Sequence, residues 1–159
     1  MLKAQQRSYA RGVSIVEMVV VSAVMATTML FVLGGTRTGI QLSILAVERS
    51  QAASLLEEGA EVVRFLRDSG WTNISNKAIG TTYYPTFTGG TWTLSTTPTT
   101  VDGFTRSVVF STAYRNGSNV LSSSGTADSN TRKVTVTTTW TSNNSSFTES
   151  LNFYISNIF

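Results

Sequence analysis

The stretch Val13–Leu33 holds 21 residues and a single charge, Glu17. As a helix it reaches about 31 Å, close to the hydrocarbon thickness of a bilayer. Lys3, Arg7 and Arg11 precede it, with no acid among them. That bias keeps the N-terminus in the cytoplasm and places the chain beyond Leu33 outside. A cleavable secretory signal shares the basic start, but its apolar region spans only roughly 7–15 residues before a small-residue cut site. Here the run is longer and carries an acid, and Val32-Leu33-Gly34 offers a poor cut site. The reading is a retained single-pass membrane span.

Glu17 then needs a reason. A carboxylate at the centre of a membrane helix costs about 2.5–3.5 kcal/mol, and less near an end. "SIVE" (Ser14–Glu17) is an S-x-x-E capping box, in which Ser14 caps the helix and Glu17 bonds back to it. Val13 and Met18 would supply the flanking hydrophobic staple, and the helix dipole favours an acid in this turn. Capping alone accounts for Ser14 and Glu17 without a partner.

Residues 36–68 keep a helical period. Leu45, Ala52, Leu55, Gly59, Val62 and Leu66 form a stripe that Leu56 and Val63 widen. Glu48, Glu57, Glu58, Glu61, Arg64 and Arg67 lie mainly off it, and Glu61–Arg64 and Arg64–Asp68 are favourable pairs. Gly70 stops the helix. Only Gly34-Gly35 separates the apolar segment from this amphipathic one.

After Gly70 the composition turns to Thr, Ser, Asn and Gly, and alternation replaces the helical period. In "FTRSVVFSTAY", Phe104, Arg106, Val108, Phe110, Thr112 and Tyr114 share a face. Val134, Val136, Thr138 and Trp140 do so in "KVTVTTTWT", and Phe147, Glu149, Leu151, Phe153 and Ile155 in "FTESLNFYIS". "TWTLS" adds Trp92 and Leu94. These runs predict an antiparallel sheet with one packed and one wet face, the packed face taking the helix stripe. Asn116-Gly117 reads as a hairpin turn, "SSSGTADSN" and "SNNSS" as exposed loops. Residues 71–90 read as irregular, pinned by Trp71, Tyr83, Tyr84 and Pro85. The fold class is α+β. Residues 1–12 form a basic N-terminal stretch, 13–34 a transmembrane helix, 35–70 an amphipathic helix and 71–159 a β-rich head.

Charge and composition exclude several functions. Three of the 12 cations are Lys3, Arg7 and Arg11; beyond them nine cations face nine acids, so no basic patch points to nucleic acid. The chain has no Cys and no His. It therefore lacks a thiolate nucleophile, the usual general base and the commonest metal ligand, and the expectation is a protein that is not an enzyme. Asp102 and Asp128 are too few for a calcium site of six to eight oxygens. No cofactor or metal is expected. Trp71, Trp92, Trp140, Tyr83 and Tyr84 could stack sugars, though core packing suits the tryptophans better.

The segment from Arg11 has a family pattern: a basic residue, Gly12, apolar Val13, Ser14, two aliphatics (Ile15 and Val16), Glu17, then the apolar run. It resembles the cleavage and methylation segment of type IV prepilins and of the pseudopilins of type II secretion. The likeness covers about residues 11–33; "DGFTRSVVF" (Asp102–Phe110) also resembles strands of minor pilins. The resemblance implies a pilin-like fold and cleavage by a prepilin peptidase between Gly12 and Val13, with methylation of the new Val13 amine. It implies a helix held in the inner membrane and drawn by an assembly platform into a filament of pilin-like subunits. There Glu17 would meet the N-terminal amine of a neighbour. Two positions depart from the pattern: Val13 stands where Phe is commonest, and Gly34 where many pilins carry a Pro that breaks the helix. Gly34-Gly35 would supply the same flexibility. Pilin, minor pilin and pseudopilin all remain open. The rival expectation is a membrane-anchored or secreted β-domain that binds carbohydrate or another surface ligand.

Overall fold

The computed structural model describes residue 12 and residues 14–158. Most of the leader, residues 1–11, and Val13 lie outside them. The chain divides into two units, Met1–Ile44 and Leu45–Phe159. The elements are helix α1 (Ile15–Asp68), a short α2 (Thr72–Ser75), and strands β1 (Thr82–Thr88), β2 (Thr91–Ser95), β3 (Thr100–Val101), β4 (Phe104–Arg115), β5 (Leu121–Ser122), β6 (Thr126–Ser142) and β7 (Ser145–Ser156). An α+β chain with one long N-terminal helix and a C-terminal antiparallel sheet is what the periodicities require.

In the second unit the helix stripe meets the sheet. Ala52, Leu56, Gly59, Ala60, Val62, Val63 and Leu66 are buried. They pack on Tyr83, Val108, Phe110, Val134, Val136 and Ile155, with Ala52, Phe104 and Trp140 in a second cluster. Gly59 is in the stripe because nothing larger fits: a Cβ there would lie 2.7 Å from Val136 Cγ1 and 3.1 Å from Arg106 Cδ. Arg106 is nearly buried under the helix, where it pairs with Glu58 (2.7 Å). Arg64 pairs with Glu61. The expected Arg64–Asp68 pair is absent: Arg67 takes Asp68 at 2.7 Å, because its side chain lies beside that carboxylate.

The sheet runs β2-β1-β4-β6-β7, with β3 and β5 pairing on β4, all antiparallel. Alternation holds through Val134, Val136, Thr138 and Trp140, all buried. Elsewhere it departs from expectation. On β4 the buried residue after Phe110 is Ala113, not Thr112. The reason is an irregularity between Thr112 and Ala113, where residues 129–131 of β6 have no partner on β4. On β7, Glu149 and Leu151 are exposed, whereas Phe153 is half-buried and Ile155 buried; β7 is an edge strand.

Residues 71–90 are not irregular. They hold α2 and all of β1, with Pro85 inside the strand. Gly89 (φ 63°) and Gly90 (φ 80°) form the two-residue turn to β2, so the flanking Thr88–Thr91 pair is hydrogen-bonded and, by alternation, Pro85 opposite Leu94 is not. Pro85 lacks an N–H where none is needed. Asp102-Gly103 and Asn143-Asn144 are turns of the same kind, with φ of 50° and 85°, and 48° and 61°. "SNNSS" is therefore a tight hairpin rather than a loop, and β6 begins inside "SSSGTADSN". Asn116-Gly117 is not such a turn. Asn116 opens a longer loop, its side-chain oxygen accepting from Ser118 N and Val120 N (3.0 Å each), and Asn119 takes the positive φ.

Candidate functional site

Two regions carry the candidate residues, the N-terminal stretch of α1 and the head. Gly12 is exposed in irregular backbone, with open space where a Cβ would stand. Val13 cannot be placed, since it lies outside the described residues. Ser14 holds the N-cap position: its carbonyl accepts from Met18 N at 3.1 Å. Glu17 is three residues on, in the first turn of α1. The backbone register of a capping box is thus present. Its side-chain bonds are not formed; among the described residues neither the Ser14 hydroxyl nor the Glu17 carboxylate has a partner.

Beyond Glu17 no residue is charged until Arg37. The apolar side chains all face outward, Ile15 and Phe31 at 83 % exposure, and none of the most apolar 18-residue window is buried. That window has a mean hydropathy of 2.2, and the helix is long and apolar enough to cross a membrane. Its hydroxyls are compatible with lipid because each bonds within the helix. Ser22 donates to Val19 O (2.9 Å), Thr27 to Ala23 O (3.0 Å), Thr28 to Met25 O (2.9 Å) and Thr36 to Val32 O (2.8 Å). Glu17 is the one ionisable side chain between Ser14 and Thr36, and it alone carries a charge that the helix does not satisfy. Gly34 and Gly35 are helical, with open space beside both. Thr38 Oγ1 donates to Gly34 O at 3.2 Å.

In the head the aromatic candidates separate. Trp140 is buried, stacked on Phe147 (centroids 5.5 Å) and donating from Nε1 to Glu48 Oε2 at 3.1 Å. Glu48 also accepts from Ser142 Oγ at 2.9 Å, so this acid of α1 clamps the end of β6. Sequence reasoning set Glu48 off the stripe, yet its place between Leu45 and Ala52, three and four residues away, puts it on that face. Tyr83 is buried, its hydroxyl accepting from Ala78 N at 2.9 Å. Trp71 packs half-buried against the core, and Tyr84 is half-buried on β1. Trp92 borders a cleft.

Asp102 and Asp128 are not brought together. Asp102 sits in a turn. Asp128 accepts from Thr131 Oγ1 (2.7 Å), Arg115 Nε (2.7 Å) and Asn130 N (2.9 Å). The Thr131 bond first, then Arg115, holds its carboxyl below the ordinary value near 3.8. Among the described residues no three Asp or Glu side chains gather as metal ligands.

No protein-family model matches the chain, and no curated protein or solved structure is significantly similar to it.

Proposed function

We propose that this chain is a prepilin-type structural subunit: a pilin, minor pilin or pseudopilin cut after Gly12 and assembled through its N-terminal helix. The observation that carries the reading is Glu17. Among the described residues it is an unpartnered carboxylate, in the first turn of a helix whose outward-facing apolar stretch carries no other charge before Arg37. For an isolated helix in lipid the charge brings only the modest dipole and capping gain of a first-turn acid. Packed among copies of itself it buries Glu17, and a buried carboxylate is tolerated only beside a cation. Once the basic leader is gone, the free amine of a neighbour's Val13 is the cation at the right depth. Pairing then fixes the axial offset between subunits, because one register brings the charges together. Gly34 and Gly35 lie where the helix can loosen during packing, since each costs about 1 kcal/mol against Ala in a helix. In this reading the protein starts as a single-pass inner-membrane protein with its head outside the cytoplasm. Its partners are prepilin peptidase, the assembly platform, lipid and other pilin-like subunits.

The test is Glu17→Gln. Gln keeps the capping-box chemistry and removes the charge. The variant should insert, be cleaved and accumulate in the membrane, yet enter sheared fibres at least about tenfold less than the parent, the loss expected of a broken buried pair. Equal fibre yield would reduce Glu17 to a helix cap.

A further inference from the structure

A cleft of about 440 Å³ opens between the last turns of α1, helix α2 and strand β2. Its size is that of a small-molecule site. Phe65, Ser69, Asn73, Asn76, Lys77 and Trp92 shape it, and no carboxylate lines it. Lys77 is its only charge. The ammonium lies 5.2 Å over the Tyr83 ring, and Tyr83 is itself fixed by its bond from Ala78 N, the residue after Lys77. The nearby acids of α1 do not answer this cation. Glu58, Glu61 and Asp68 are already paired with Arg106, Arg64 and Arg67, whereas Lys77 has no ion pair among the described residues.

The rest of the cleft is neutral and able to hydrogen-bond. Asn73 donates its amide to Leu66 O at 3.2 Å, which fixes the carboxamide; its oxygen has no partner among the described residues. The Asn76 carboxamide and the Trp92 indole N–H have no partner among the described residues. Trp92 is steadied by Phe87 (5.2 Å between ring centroids) and by the Arg106 guanidinium over its ring (5.6 Å). Phe65 is about half exposed.

We propose that this cleft binds a carboxylated sugar unit of an oligosaccharide. Lys77 takes the carboxylate. Asn73 and Asn76 meet ring hydroxyls, which both donate and accept as a carboxamide does. Phe65 and Trp92 cover the apolar face of the ring. An acidic peptide would also satisfy Lys77 and the carboxamides, but it brings no ring to lie against Phe65 and Trp92. The proposal concerns the head alone and stands apart from the assembly reading.

The experiment uses the full chain in micelles of a detergent without a sugar headgroup, titrated with tetragalacturonate and followed by calorimetry and tryptophan fluorescence. Saturable binding with a Kd below about 1 mM is expected. Lys77→Gln should weaken it about tenfold, the loss of one charge-assisted hydrogen bond. Asn76→Ala, at an exposed position that leaves the core intact, should weaken it about threefold. Neutral galactotetraose should bind at least about tenfold more weakly, for the same reason as Lys77→Gln. No saturation with tetragalacturonate would overturn the proposal, as would unchanged affinity in both variants. Equal affinity for galactotetraose, or for tetraglutamate, would also overturn it.

Discussion

Gly59→Ala places a methyl group where α1 rests on the sheet. The new Cβ would stand 2.7 Å from Val136 Cγ1 and 3.1 Å from Arg106 Cδ. Arg106 can yield a few tenths of an ångström. Val136 cannot: it is wholly buried on β6 between β4 and β7, and a β-branched side chain has few alternative rotamers. Overpacking of this kind costs about 1–3 kcal/mol. Replacing Gly by Ala in a helix returns about 0.8–1.0 kcal/mol, leaving a net loss of roughly 1 kcal/mol from those two terms. The assay is urea unfolding of the full chain in micelles, followed by near-ultraviolet circular dichroism of the head tryptophans. The decisive comparison is the Val136→Ala background. With the γ-carbons gone, Gly59→Ala should stabilise, so the sign reverses and the two sites couple by about 1–2 kcal/mol. An equal effect of Gly59→Ala in both backgrounds, within about 0.5 kcal/mol, would refute the steric account of Gly59.

Glu48→Ala removes the acceptor of both Trp140 Nε1 and Ser142 Oγ; it should cost about 1–3 kcal/mol in the same unfolding assay, and Glu48→Gln less. Asp128 has a lowered folded pKa, so its contribution is full above the ordinary value near 3.8 and is lost as pH falls through the lowered value. Thr131→Val removes the largest cause of that shift, and acid titration of stability should show a shallower loss in the variant.

The helix stripe was legible because 3.6-residue spacing leaves few alternatives for Ala52, Leu56, Val62, Val63 and Leu66. Glu48 hides in the stripe because its charge argues against its spacing: an acid there is stable when Trp140 and Ser142 meet it. On the sheet, Val134 to Trp140 declared their faces, but threonines say little about burial, and Thr138 is buried despite its hydroxyl. Strand β1 was hidden by Pro85, which is harmless at a position that bonds nothing. The tight turns were carried by Gly89-Gly90, Asp102-Gly103 and Asn143-Asn144, while Asn116-Gly117 drew attention to the wrong loop. The apolar N-terminal stretch of α1 was readable, since length and apolarity alone make a helix able to cross a membrane. The cleft was not, because residues from Phe65 to Leu94 meet there only through tertiary packing.

The prepilin-type assignment turns on where the chain is cut. Intact mass spectrometry of the membrane-extracted protein, from a host with and without a prepilin peptidase, measures this directly. A chain beginning at Val13, one methyl group heavier than the bare polypeptide and seen only with the peptidase present, is the expected result. A chain that keeps residues 1–12 in the presence of an active peptidase, or that begins near Gly35, would contradict it.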